Sequence, residues 1–223
     1  LRFGFAKTGS LALISHLDTQ RLLERALRRT GLPVSFTGGF HPLPRLQLAL
    51  SLPLGVEGLG EWMDIEFTEP LAAAVVRDRL QAELSPEFAL LSAAEVPVFG
   101  PSLSQELAEA RWSFGLSSEN PAIQLGVGHW QQAAEALLAR SSLIWQDTDK
   151  KGRPRQRDCR PALLALTLAP GAGTSMGVQL RACIDQQGRS IKPLQIQHWL
   201  AEELGQTLLL QGVRREALVL QPC

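Results

Sequence analysis

The chain has 223 residues, 45% of them hydrophobic, and its formal net charge at pH 7 is zero. This length predicts one large domain or two of about 100 residues each, and the neutral balance excludes a globally basic nucleic-acid-binding protein. The cysteines are widely spaced at 159, 183 and 223, which argues against a disulfide framework or a structural zinc site and favours a cytoplasmic protein. No apolar run approaches the roughly 18 residues that span a bilayer, and no signal peptide is visible. The first residue is Leu1 rather than Met, which suggests a piece of a longer polypeptide.

The first hundred residues predict the order β-α-β-β-α-β. Ser15 can cap a helix with Asp18 as its partner, and Gly31 followed by Pro33 predicts its end. Alternating and β-rich segments predict the strands. The predicted helices are 15–29 and 70–84, and the predicted strands are 2–6, 11–14, 34–36, 46–52, 61–67 and 88–97. This is the ferredoxin-like order.

After a linker at 97–101 the pattern partly recurs. The predicted helices are 128–140 and 193–204, and the predicted strands are 111–116, 143–146, 162–168, 177–184 and 208–220. Residues 150–160 and 171–177 are predicted to be long loops. We therefore predict an α+β protein of two tandem ferredoxin-like halves with antiparallel sheets, covering residues 1–98 and 99–223.

Positive charge is concentrated near the start, where residues 1–46 hold seven Lys or Arg against two acids. Arg21, Arg25 and Arg28 fall on one stripe of the first predicted helix. Two interpretations stay open. The stripe binds phosphates, or it is a solvated face on which Glu24 pairs with Arg28 at i+4.

His16 and His41 are the two histidines of this block. His16 shares its helix face with the apolar residues, so it points toward the sheet at the helix N-terminus, which favours an anion and a neutral imidazole. His41 lies in a proline-stiffened loop. Lys7, His16, His41 and Arg45 converge if strands 34–36 and 46–52 form a hairpin, and converge less well if 46–52 pairs with 61–67. A core histidine and a structural loop are the alternatives.

A second basic stretch holds five cations in eight residues, namely Lys150, Lys151, Arg153, Arg155 and Arg157. It predicts a flexible loop that clamps a nucleic-acid backbone, or a solvated turn. The five tryptophans lie away from the basic stretches, so no base-stacking platform is predicted. No metal-ligand or phosphate-loop motif is present.

Several spaced motifs follow one another in residues 1 to about 70. They are Arg2-Phe3-Gly4-Phe5, Ile14-Ser15-His16-Leu17-Asp18, Arg25-Ala26-Leu27-Arg28-Arg29, Gly31-Leu32-Pro33, Gly39-Phe40-His41-Pro42, Pro44-Arg45, Pro53-Leu54-Gly55-Val56-Glu57 and Glu61-Trp62-Met63-Asp64. In these motifs the chain resembles the radical-SAM-associated bacterial domain of unknown function, which occurs alone or at the C-terminus of cobalamin-binding-type radical SAM proteins.

The resemblance implies an RNA-related role. Because the chain lacks the C-x-x-x-C-x-x-C ligands of a radical SAM enzyme, it implies an accessory domain with no cofactor of its own. The iron–sulfur cluster and SAM are expected in the associated catalytic domain. A weaker likeness to the CRISPR repeat endoribonucleases is in layout only, since their glycine-rich loop before the final strand is missing here.

Three functional hypotheses follow. The first is a non-catalytic module that binds tRNA or rRNA and presents it to a radical SAM domain, with Lys7, His16, His41 and Arg45 as one anion site. Arg153, Arg155 and Arg157 would be an auxiliary clamp. The second is a metal-independent endoribonuclease with His16 as base and His41 as acid. The third is a protein-docking module.

Overall fold

The computed structural model describes residues 1–120, 122–123, 125–148, 152–171 and 175–221. Over these residues the protein is mixed α+β, with four α-helices and largely antiparallel sheets. The chain forms two compact units. The first contains Leu1–Leu107 together with the described residues from Arg215 onward, and the second is Ala108–Arg214. None of the helices in the described residues is both long and apolar enough to span a membrane.

The first unit begins with six regular elements. They are β1 (Arg2–Lys7), α1 (His16–Thr30), β2 (Leu46–Leu48), β3 (Glu57–Ile65), α2 (Ala73–Ala82) and β4 (Phe88–Ala94). The strand order is β4-β1-β3, and the short β2 pairs antiparallel with the end of β3. The core lies between this sheet and the two helices, and its buried side chains include Phe3, Phe5, Leu23, Leu27 and Val76.

Helix α1 begins and ends where the sequence predicts. The Ser15 hydroxyl accepts a hydrogen bond from the Asp18 amide at 3.1 Å, and Gly31 closes the helix in the left-handed conformation with a φ of 65°. These caps satisfy backbone groups that the helix ends leave open. The apolar positions Leu23, Ala26 and Leu27 are buried, so one face of α1 packs on the sheet and the opposite face meets solvent.

Two strand predictions in this unit are wrong. Residues 11–14 lie mostly in a 3-10 helix, Gly9–Leu13, because the Glu87 carboxylate accepts hydrogen bonds from both the amide and the hydroxyl of Ser10 and holds a turn there. Residues 34–36 form only isolated bridges, Val34 to Phe67 and Phe36 to Pro44. The segment from 35 to 45 is therefore a loop whose two ends are tied together.

The second unit contains the remaining elements. They are β5 (Leu107–Ser118), α3 (Val127–Ala139), β6 (Ile144–Thr148), β7 (Pro154–Asp158), β8 (Leu163–Pro170), β9 (Met176–Cys183), α4 (Pro193–Leu204) and the first part of β10 (Leu208–Leu220). The strand order is β10-β5-β9-β8, and β6 and β7 form a separate two-stranded sheet. The prediction of a loop over 150–160 is wrong for residues 154–158, because these residues pair in register with 144–148.

Strand β10 ends in the first unit, where Arg215 joins it to β3 by a buried ion pair. Arg215 is 1% exposed and Glu61 is 3% exposed. The Arg215 Nε atom donates to Glu61 Oε1 at 2.7 Å, and one Nη donates to the other carboxylate oxygen. The same guanidinium donates to the carbonyl oxygens of Ser51 and Leu50 at 3.1 Å. The sequence analysis placed a single boundary after residue 98, whereas the first unit includes this returning end of the chain.

A second buried arginine, Arg2 at the start of β1, contacts β3 near its end. Arg2 donates from Nε to Asp64 at 2.8 Å and from Nη1 to Glu106 at 2.6 Å. These two carboxylates raise the pKa of Arg2 and so keep it charged. Strand β3 is therefore held at its middle by Arg215 and near its end by Arg2, each through a carboxylate partner.

We expect Glu61→Gln to destabilise the protein strongly, because it leaves the Arg215 charge buried without its counter-ion. The expected loss in the free energy of unfolding is about 3–5 kcal/mol, measured by urea denaturation. Glu69→Gln is the matched control, since Glu69 is exposed. This substitution is expected to change the free energy of unfolding by no more than about 0.5 kcal/mol. Equal stability of the two variants would contradict the structural role of the pair.

Candidate functional site

A small pocket lies beside the first turn of α1. Its apolar walls are Phe5, Leu48, Leu50 and Leu52. Its polar groups are Lys7, His16, Thr19 and Glu61. The volume of about 20 Å³ has room for one or two water molecules. Strand β1 supplies Lys7, β3 supplies Glu61, and the helix cap at Ser15 fixes His16 at the pocket edge.

Lys7 is the most deeply buried cation-forming group of this pocket, with 2% exposure. Its Nζ donates to the carbonyl oxygen of Ile14 at 3.3 Å and to Thr19 Oγ1 at 3.4 Å. Burial lowers the pKa of Lys7; the Glu61 charge opposes this effect and the Arg215 charge adds to it. The neutral amine is thus favoured relative to an exposed lysine.

His16 is half-buried at the same pocket. Burial lowers its pKa, and the positive charges of Lys7 and Arg215 lower it further. The sequence analysis expected a neutral imidazole because of the helix N-terminus. The pKa of His16 is indeed lowered, but the causes are burial and the positive charges of Lys7 and Arg215. Arg215 comes from the far end of the chain.

The structure does not bring His41 and Arg45 to Lys7 and His16. Arg28 lies twelve residues after His16 on α1, which corresponds to about 18 Å along the helix axis. It donates a hydrogen bond to the carbonyl oxygen of Pro42, the residue after His41, at 3.4 Å. Arg45 forms an ion pair with Glu66 at 3.5 Å, just beyond the end of β3, whereas Lys7 pairs with Gly58 near the start of β3. The prediction of one anion site built from all four residues is therefore wrong, because β2 pairs with β3 and carries the loop to the other end of the sheet.

A row of cations follows the solvent side of α1 and continues into the 35–45 loop. We call it the arginine face, and it consists of Arg21, Arg25, Arg28 and Arg45. Arg21 pairs with Asp18 at 3.3 Å. No acidic partner of Arg25 is found among the described residues. The arginine face is thus only partly neutralised within its own unit.

Arg28 joins the helix to the loop through an aromatic ring. Its guanidinium carbon lies 5.5 Å from the centre of the Phe36 ring, a cation–π distance. Arg45 Nε donates to the Phe36 carbonyl oxygen at 3.4 Å. The expected i+4 pair with Glu24 is not seen among the described contacts of Arg28, because the loop offers the guanidinium an aromatic face and a carbonyl oxygen instead.

Phe40 is fully exposed at the tip of this loop. It follows Gly39, whose φ of 109° is a conformation that L side chains rarely adopt. Phe36 and Leu43 in the same loop are also substantially exposed. Exposed aromatic side chains therefore lie beside cations here, a combination that the sequence analysis missed because it looked for stacking groups only among the tryptophans.

Two arginines of the second basic stretch, Arg155 and Arg157, belong to a hairpin rather than to a loop. Arg155 and Arg157 lie on β7 and face Asp147 on β6, at 3.7 and 4.0 Å. Arg153 precedes β7 and is exposed, and the predicted cations Lys150 and Lys151 lie outside the described residues. The cations of β7 thus have an acidic neighbour within the hairpin.

Glu61, Thr19 and Arg215 were missed as site residues. The one local signal for Arg215 is a pair of arginines inside a final strand that is apolar at both ends, which hints at a buried partner. Nothing in the sequence connects Arg215 to Glu61, because they are 154 residues apart and their contact depends on the complete sheet.

The fold is similar to that of chains in two solved structures. One is the crystal structure of a Cbf5-Nop10-Gar1 complex, with a TM-score of 0.54, 13% identity, and coverage of 96% of this chain and 48% of that chain. The other is the structure of an H/ACA RNP bound to a substrate RNA containing 2'-deoxyuridine, with a TM-score of 0.50, 11% identity, and coverage of 96% and 46%. This chain spans about half the length of either matched chain, and at such identity the likeness concerns the fold alone.

Sequence comparison identifies the family. No curated protein matches the chain. A family model described as "Uncharacterized protein conserved in bacteria (DUF2344)" matches residues 1–193. Because this match covers most of the chain, the protein belongs to the DUF2344 family.

Proposed function

We propose that this protein binds RNA through the arginine face and the adjoining 35–45 loop. One observation carries the proposal: Arg28 lies over Phe36 and Arg45 hydrogen bonds to the same residue, beside the fully exposed Phe40. Guanidinium groups bind phosphates, and exposed aromatic rings stack on unpaired bases. A surface that offers both at once suits a single-stranded or looped RNA segment.

The charge distribution supports this location. The whole chain is neutral, so long-range attraction to RNA must come from a local concentration of cations. Arg21, Arg25 and Arg28 lie on one side of α1 at spacings of four and three residues, which places neighbouring side chains about 5–6 Å apart. Such a row can contact successive phosphates without reading bases.

The fold comparison adds weaker support. Both similar chains come from complexes described as Cbf5-Nop10-Gar1 or as an H/ACA RNP, and one of these complexes holds a substrate RNA. An RNA-related role for this chain agrees with that setting.

Cleavage by a pair of histidines is not part of the proposal. Such a mechanism needs both imidazoles within reach of one phosphate. His16 stands at the first turn of α1, whereas the loop of His41 contacts Arg28 near the other end. His41, beside the exposed Phe40, is instead assigned to the RNA surface with Arg45.

From the sequence resemblance we further propose that the RNA is a tRNA or rRNA and that the protein presents it to a radical SAM domain. That domain would lie in the same polypeptide or in a partner, and it would hold the iron–sulfur cluster and SAM. Arg153, Arg155 and Arg157 remain a proposed auxiliary contact, in which RNA phosphates would compete with Asp147.

We also infer that each unit is a variant of the ferredoxin-like fold. The support is connectivity: β1-α1-β2-β3-α2-β4 has the order β4-β1-β3 with β2 on β3. The series β5-α3-β8-β9-α4-β10 repeats this connectivity with the order β10-β5-β9-β8. The β6-β7 hairpin would then be an insertion after α3.

Removing the cations of α1 is expected to weaken RNA binding and its dependence on salt. The double variant Arg25→Gln/Arg28→Gln should lose about tenfold or more in affinity at low salt. The slope of log K against log salt should fall by about 0.7 for each lost phosphate contact. Binding is measured by fluorescence anisotropy with a mixed-sequence single-stranded RNA and with total tRNA.

The matched control is Arg77→Gln/Arg79→Gln, which removes the same charge from α2 of the same unit. It should bind RNA as the unaltered protein does. Equal losses in both double variants would show non-specific attraction and contradict the proposed surface. No binding at low salt would overturn RNA binding altogether and favour the docking of a protein partner.

Removing the aromatic ring of Phe40 should weaken RNA binding without changing the slope of log K against log salt. Phe40→Ala removes a stacking contact worth about 1–3 kcal/mol, which corresponds to a loss of about 5- to 150-fold. Because Phe40 is fully exposed, folding should be unaffected. Phe99→Ala is the control, since Phe99 is also highly exposed but lies outside the loop. A Phe40→Ala protein that binds as tightly as Phe99→Ala would rule out stacking at this position.

A further inference from the structure

The pocket beside α1 holds an amine that RNA binding does not use. Lys7 is 2% exposed, so it cannot offer a solvated charge to a nucleic-acid backbone. Its only neighbours in hydrogen-bond contact among the described residues are neutral acceptors, the Ile14 carbonyl and the Thr19 hydroxyl. A buried ammonium without a bonded carboxylate is costly.

The two hydrogen bonds suit the neutral amine better than the ammonium ion. A neutral amine has two N–H groups, and the Ile14 and Thr19 oxygens accept both. The remaining tetrahedral position of Nζ is then a lone pair. An ammonium ion has a third N–H, for which the described residues provide no acceptor.

The charged groups around Lys7 act on its pKa in opposite directions, so burial is the cause of the net lowering. Among the described residues, Glu61 on β3 is the only carboxylate that lines the pocket, and both of its oxygens accept hydrogen bonds from Arg215. Burial lowers the pKa of Lys7, the Glu61 charge opposes this effect, and the positive charge of Arg215 on β10 adds to it. His16 on α1 is itself disfavoured as a cation by burial and by these charges.

The size and lining of the pocket restrict which molecules can reach the Lys7 amine. Leucine side chains from β2 and the segment after it, together with Phe5, form apolar walls around the Lys7 amine. Its volume of about 20 Å³ admits only a small group. A compact, mostly apolar site that desolvates a lysine is a setting in which the amine can attack a carbonyl carbon.

We propose that Lys7 is a nucleophile that condenses with a small aldehyde or ketone in this pocket. The Nζ lone pair forms a bond to the carbonyl carbon while the carbon–oxygen π electrons move to oxygen. Nitrogen loses two protons in all, and the oxygen takes up two and leaves as water, giving a carbon–nitrogen double bond. No oxidant or reductant is required, and the site is distinct from the arginine face.

Reductive trapping tests this proposal on the unaltered protein. The folded protein is treated at pH 7 with acetaldehyde and cyanoborohydride, and the modified lysines are located by peptide mass mapping. The chain has four lysines, and the exposed Lys192 serves as the internal reference. We expect Lys7 to be ethylated several-fold faster than Lys192, because its amine is buried in the pocket and donates only to neutral acceptors.

Unfolding in urea is the control, because it removes the pocket while keeping both lysines. The ratio of Lys7 to Lys192 modification should then fall to about one. In a His16→Ala protein, which opens the pocket edge and removes no Lys7 hydrogen bond, Lys7 should still be preferred. Lys7 that stays unmodified in the folded protein, or that reacts no faster than Lys192, would overturn the proposal.

Discussion

The buried ion pair between Glu61 and Arg215 is the interaction on which the first unit depends. It fixes the last strand against β3 across 154 residues of sequence. It also engages both oxygens of the Glu61 carboxylate in hydrogen bonds to the guanidinium. Burial lowers the pKa of both Lys7 and His16, and the positive charge of Arg215 adds to this lowering, while Glu61 opposes it at Lys7. The ion pair thus places two opposing charges beside a pocket in which burial has the larger effect.

Helix α1 carries two different surfaces because it is amphipathic along most of its length. Its inner face packs Leu23 and Leu27 on the sheet, and its first turn places His16 at the pocket. Its outer face carries arginines toward the loop that holds Phe36 and Phe40. The pocket that holds the buried amine of Lys7 and the row of exposed cations therefore both border helix α1. The amine is shielded from water, whereas the exposed cations favour attraction to phosphate.

Local signals in the sequence predicted the helices well and the site only in part. Ser15, Asp18 and Gly31 fix the ends of α1 by hydrogen bonds and backbone conformation within a few residues. The strand 154–158 was not predicted because it contains charged and polar residues without alternating apolar ones, a composition that is typical of a loop. The separation of His41 from His16 depends on which strand β2 pairs with, and the contact of Arg28 with Phe36 instead of Glu24 depends on the loop folding back. Such tertiary contacts cannot be predicted from the periodic patterns of the sequence.

Photo-crosslinking is the most direct test of where RNA binds. A single-stranded RNA with 4-thiouridine at several positions is irradiated with the protein at low salt, and the linked peptides are mapped by mass spectrometry. We expect crosslinks at residues 36–45, with Phe40 and His41 prominent, and we expect them to be lost in the Arg25→Gln/Arg28→Gln protein. Crosslinks confined to residues 152–158, or absent from the 36–45 loop while RNA is bound, would contradict the proposed RNA-binding surface.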